Sequence, residues 1–154
     1  MSRLGRADPG DPRVSIVLAT LFAASAFLFV RPLYDASAAQ LRDAGLELRK
    51  ITAPGALIVA ADTGDPTIFY YAHRKGWHFL ETHAIYGGNP GDSRQAILDL
   101  EQLRHAGATH LVFTSNTFWW LQYYPEFAQH VSDTSTVLQA PGDFRIYELN
   151  ATSE

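Results

Sequence analysis

ALIVAADTGDPTIFYYAHRKGWHF, residues Ala56–Phe79, sets out a strand, a turn, a helix and a second strand in a single short stretch. Ala56 to Ala61 is too brief for a free-standing helix, and its lack of alternation suits a strand buried on both faces. Asp62 ends that strand, and Thr63, Gly64 and Asp65 make a turn. Asp65 is placed to cap the next helix, with Pro66 at its first position, where a missing N–H is harmless. His73, Arg74 and Lys75 then bring positive charge to the helix's last turn, and Gly76 stands where a left-handed residue is wanted. Trp77, His78 and Phe79 begin the next extended segment.

Downstream, Glu81 to Gly91 is a loop rich in glycine, on what should be the functional rim of an α/β sheet. Asp92 caps a helix with Gln95 at the capping-box position, and Ala96, Ile97, Leu100, Leu103 and Arg104 carry it to Gly107. Thr109–Ser115 has the apolar centre of a buried parallel strand. Asn116 is expected to cap an aromatic helix over Thr117–Tyr124, and Pro125 either kinks it or starts a second one reaching Val131. Thr136–Gln139 and Phe144–Leu149, joined through Pro141, Gly142 and Asp143, read as a C-terminal β-hairpin. Strands alternating with helices predict a small Rossmann-like α/β sandwich with a mixed sheet and right-handed crossovers.

Upstream, Asp35–Ile51 spaces Ala38, Leu41, Ala44, Leu48 and Ile51 by threes and fours, as a helix does, though Gly45 weakens it. Thr52 to Gly55 breaks it before the first strand. Val14 to Val30 carries no charge and is bracketed by Arg13 and Arg31. It covers about 25 Å as a helix, and Leu33 and Tyr34 can extend it, so it reads as a transmembrane helix. A buried core helix fits poorly with an arginine at each end; a cleaved signal peptide has Ala36, Ser37 and Ala38 as its site. Anchor and signal peptide alike export the rest of the chain, and the arginines before the helix slightly favour a cytoplasmic N-terminus. The expected division is a tail over 1–13, a transmembrane helix over 14–34, a linker helix over 35–53, an extracytoplasmic domain over 54–150 and a tail over 151–154.

The 154 residues suffice for one sizeable core, and 47% apolar content marks a folded chain. Net charge is −4 with the arginines crowded near the N-terminus, which argues against a nucleic-acid partner. The absence of cysteine removes disulfides, thiol catalysis and thiolate zinc sites. Asp62 and Asp65 stand where open α/β sheets bind ligands and together could hold a divalent cation; otherwise they form the turn and cap the helix. Arg74, Lys75, Trp77 and His78 join cationic donors to an aromatic face suited to a sugar phosphate or lipid headgroup, or else finish the helix and anchor the strand. Phe118, Trp119, Trp120, Tyr123 and Tyr124 are more aromatics than one helix face buries, so Trp119 and Trp120 are candidates for sugar stacking or an interface. The scattered histidines, His78 and His83 among them, form no metal-ligand spacing, and no phosphate loop or nucleophile elbow is present, so no metal or cofactor is expected.

Taken together, the membrane helix, the linker helix, "ADTGDPTIFYYAHRKGWHF", "LRHAGATHLVF", "WWLQYYPEF" and "DFRIYEL" resemble the C-terminal extracytoplasmic domain of bacterial membrane glycosyltransferases. These are the protein-mannosyltransferase-like enzymes that use polyprenyl-phosphate sugars, and the resemblance runs from about Val14 to Asn150. Such enzymes keep their catalytic acid in the first outer loop of a multi-helix membrane core, which one membrane segment does not supply. The resemblance therefore implies a part of a larger or split glycosyltransferase, or a stand-alone anchored module, that docks an acceptor, glycan, lipid-linked sugar or catalytic core and transfers no sugar itself. Two other classes stay open: an exported enzyme using Asp62 and Asp65 with a metal, and a structural interaction module.

Overall fold

The computed structural model describes residues 12–30, 36–82 and 85–151. Contacts divide the chain into one unit ending at Ala36 and another beginning at Ser37. The N-terminal tail to Asp11, the helix extension through Leu33 and Tyr34, Asp35, His83 and the last three residues lie outside the described residues.

In the first unit, α1 (Pro12–Val30) is a single helix with no buried residue. At 19 residues it is long and apolar enough to cross a membrane. Two of its hydroxyls bond back to the helix: Thr20 Oγ1 donates to Ile16 O at 2.9 Å and Ser25 Oγ to Leu21 O at 2.8 Å. Such back-bonding hides a hydroxyl where no water is at hand.

The second unit is α/β, with a mixed five-stranded sheet. In chain order it comprises α2 (Ala36–Ile51), β1 (Leu57–Ala61), α3 (Thr67–Ala72), β2 (Lys75–His78), the short strands β3 (Glu81–Thr82) and β4 (Ile85–Tyr86), α4 (Ser93–His105), β5 (His110–Thr114), α5 (Trp120–Tyr123), α6 (Pro125–Thr134), β6 (Ser135–Gln139) and β7 (Phe144–Leu149). Sheet order is β2-β1-β5-β7-β6, while β3 and β4 pair separately. β1 runs parallel to β2 and β5; β7 runs antiparallel to β5 and β6. The β6–β7 ladder shifts register between Val137 and Gln139.

Two-residue periodicity divides the strand side chains between two cores. Ile58, Ala60, Val112 and Ile146 face α2 and α3, meeting Leu41, Ala44, Leu48, Ile68 and Ala72. Val59, Ala61, Leu111, Phe113 and Tyr147 face α4, α5 and α6. Gly45, expected only to weaken α2, has a packing role. A Cβ there would stand 2.7 Å from Ile68 O and 2.9 Å from Tyr71 Cβ, so its absence lets α2 and α3 approach closely.

In α4 Asp92 caps as expected, accepting from Gln95 N at 2.7 Å, whereas Gln95 Oε1 accepts from Gly91 N at 2.8 Å, one residue before the N–H that a capping box uses. Three expectations need correction. α3 begins at Thr67, so the cap position falls on Pro66, with no side-chain cap bond, and not on Asp65. α3 stops at Ala72, and His73, not Gly76, takes the left-handed conformation with φ of 51°. Gly76 instead lies in β2 opposite Ile58. Asn116 caps no helix: Ser115–Thr117 is a 3-10 turn entered from Thr114, and Pro125 opens α6 as a separate helix.

Candidate functional site

The carboxyl ends of β1, β2 and β5 lie side by side, and the crossover from β2 to β5 passes to the far side of β1. In open α/β sheets, such a reversal of connection direction at the carboxyl ends of the strands is where ligands commonly bind. Asp62 sits at that point, 1% exposed. The β1–β2 register sets Ala60 opposite His78, which brings His78 Nδ1 to 2.9 Å and 3.1 Å from the two Asp62 carboxylate oxygens. With Asp62 ionised, the carboxylate can only accept, so Nδ1 carries the proton. Gly64 N also donates to Asp62 Oδ1 at 2.9 Å, with Gly64 at φ of 82° closing the turn.

Burial pushes the Asp62 carboxyl above its ordinary range, against the Gly64 N–H and His78, which favour the ion; Asp65 nearby adds to the rise. Phe69 meets the His78 ring edge to face at 5.0 Å, and the Tyr86 ring lies 6.3 Å away. Tyr86 donates to Asp62 O at 3.2 Å, and burial with the neighbouring Asp62 charge raises its own pKa. Thr117 Oγ1 donates to Ala61 O, tying the turn after β5 to the end of β1. Neither Tyr86 nor Thr117 carries a sequence signal of such a role, because both contacts join segments far apart in the chain.

The predicted residues do not all gather here. Asp65 Oδ1 accepts from Thr67 N at 2.9 Å and so serves the start of α3. Among the described residues, no group of three or more metal-ligating side chains forms, and Asp62 and Asp65 are each engaged with the protein. Arg74 and Lys75 precede or begin β2, at the opposite edge of the sheet from His78. Three residue steps of strand separate Lys75 from His78, about 10 Å. Trp77 is partly buried against the α4–α6 core. Trp120 is fully buried and donates to Asn89 Oδ1 at 3.3 Å, whereas its neighbour Trp119 is 39% exposed. Trp119 packs beside Tyr123 at 5.8 Å, and Tyr123 is 70% exposed.

Arg74 is a structural clamp. Its Nε donates to Thr52 Oγ1 at 3.0 Å, Nη2 to Thr52 O at 2.7 Å and Arg49 O at 3.2 Å, and Nη1 to Ala72 O and His73 O at 3.2 Å and 3.1 Å. One guanidinium thus satisfies carbonyls at the ends of α2 and α3. Arg74→Ala should lower stability by about 2–3 kcal/mol, read as an earlier urea midpoint with unchanged slope. Arg74→Lys should recover little of it, because an ammonium lacks the planar fork.

No known protein family, curated protein or solved structure matches the chain.

Proposed function

We propose that the chain is a membrane-anchored protein whose folded, Rossmann-like domain with its C-terminal hairpin lies outside the cytoplasm and docks a glycan acceptor, a lipid-linked sugar or a multi-helix glycosyltransferase core. In this reading the domain is related to the C-terminal part of a polyprenyl-phosphate-sugar glycosyltransferase, as part of a larger or split enzyme or as a stand-alone anchored module, and is not catalytic by itself. The observation that carries the binding role is the carboxyl edge itself: Trp119 and Tyr123, which follow β5, present exposed rings on the same edge as Asp62 and His78, whose polar groups are tied to one another and to the turn. Aromatic faces stack on sugar rings, while an engaged Asp65 and Asp62 leave little for metal chemistry. The bare apolar helix α1 supports anchoring.

The test is a tryptophan-fluorescence titration of the full chain in detergent with a short-chain polyprenyl-phosphate mannose, free mannose and polyprenyl phosphate. Saturable quenching by the sugar-bearing lipid, weakened about 10-fold in Trp119→Ala, is the expected result. No saturable response to any of the three, together with failure to capture a glycosyltransferase core co-expressed with it, overturns the reading.

The Asp62–His78 pair favours a second reading, an exported α/β enzyme. A buried carboxylate that orients an imidazole is how a general base is held. Magnesium-independent hydrolysis that disappears in both Asp62→Asn and His78→Gln, with the fold retained, would establish it over the docking role. The metal-dependent version using Asp62 and Asp65 requires magnesium stimulation instead.

A further inference from the structure

The edge of the sheet that carries Asp62 and His78 is also where the chain enters the folded domain. Ser115 Oγ, just beyond the carboxyl end of β5, donates to Gln40 Oε1 near the start of α2. At the other end of α2, Thr52 and Arg49 are bound by Arg74, beside the amino end of β2. α2 therefore runs from the carboxyl edge to the amino edge. The apolar segment ends at Val30 and α2 begins at Ala36, so six residue steps join them, a reach of at most about 20 Å.

Several exposed nonpolar groups lie on this same carboxyl edge. Trp119 and Tyr123 follow β5 through the 3-10 turn, and the buried rings beside them are tied to the loop before α4, Trp120 to Asn89 and Tyr124 to Pro90 O. Ile85, 70% exposed, stands beside Tyr86, whose hydroxyl reaches Asp62. We propose that the carboxyl edge is a membrane-docking surface and that its occupant is the lipid interface of the bilayer. Trp119 and Tyr123 sit among the headgroups, the position amphipathic rings prefer, and Ile85 meets the first acyl carbons.

Charge specifies the kind of lipid. Asp43, Asp65, Asp92, Glu126 and Asp143 lie at or near this edge against Arg42, itself paired with Asp43, Arg94 and Arg145, so the acidic groups outnumber the basic ones and an anionic surface gains no Coulomb attraction there. The contact is apolar and aromatic and suits zwitterionic lipid. Asp62 and His78 then lie on the side of the domain that faces the bilayer.

The inference rests on the anchored reading of α1, and one experiment separates the two. The chain has no cysteine, so single-cysteine labels are clean. Gly142 lies in the turn between β6 and β7 at the carboxyl edge and Gly55 lies just before β1 at the amino edge; a Cβ at either meets nothing within 4 Å. Gly142→Cys and Gly55→Cys full-length chains, labelled with a fluorophore, are reconstituted into phosphatidylcholine vesicles carrying a headgroup quencher. Quenching at 142 at least about threefold stronger than at 55 is expected, with the difference lost in Trp119→Ala/Tyr123→Ser. Equal quenching, or stronger quenching at 55, in protein that floats with the vesicles overturns the docking surface while leaving the anchor standing. A chain that fails to float overturns the anchor and the docking surface with it. A difference that appears only with anionic lipid and vanishes in salt also overturns the proposed contact.

Discussion

Gly76→Val should cost about 3 kcal/mol or more and release β2 from the sheet. A Cβ at this position would fall 1.7 Å from Ile58 O and 2.6 Å from Ile58 C, which is backbone and cannot rotate away. Relief requires the two strands to part. Overpacking in a well-packed region commonly costs about 1–3 kcal/mol. Here a second loss follows, because β2 carries His78 and parting the strands withdraws it from the buried Asp62 carboxylate. Removing one partner of a buried pair is expensive in its own right. Urea denaturation measures the total, with Gly142→Val as a control whose added side chain meets open space and should change stability by no more than about 0.5 kcal/mol. If Gly76→Val unfolds at the wild-type midpoint, the close approach of β2 to β1 is wrong.

Trp120→Ala should be comparably severe, at about 3–5 kcal/mol. The indole is fully buried, 5.7 Å from the Phe79 ring and 6.4 Å from the Phe113 ring, and its Nε1 holds Asn89. The substitution empties the centre of the α4–α6 core and frees the loop before α4. Trp120→Phe retains most of the volume and gives up mainly the Asn89 bond, so about 1–2 kcal/mol is expected. The adjacent Trp119→Ala should stay within about 1 kcal/mol, since much of that ring faces solvent. Thermal or urea unfolding of the three variants ranks them. Equal losses at 119 and 120 would contradict the burial difference between neighbours.

These residues also show what the sequence could and could not disclose. Asp92, Gln95 and the apolar faces of α4 are local features, and their pattern is legible over a few residues. Gly76 misleads because basic residues immediately before it imitate the last turn of a helix. Its reason lies in Ile58, on another strand, and His73 adopts the left-handed conformation in its place. Likewise Arg74 and His78 look like neighbours in the sequence, yet β2 carries them to opposite edges of the sheet. The candidate site was half visible: Asp62 at the end of the first strand follows from pattern, but its pairing with His78 is a consequence of register. No periodicity announces register between parallel strands. Trp119 and Trp120 look alike in the sequence, and only the geometry of α5 and its preceding turn distinguishes the ring that builds the core from the ring that meets the surroundings.

The shifted register of β6 has a bearing on crowding. Proteins confined to a sheet of lipid collide edge-on, and an open strand edge invites a copy to extend the ladder. This sheet ends on one side in β6, irregular between Val137 and Gln139, and on the other in β2, four residues long with exposed Lys75 at its start. Both ends make poor templates for another strand. A second copy of the domain therefore gains little by adding a strand to either end of the sheet.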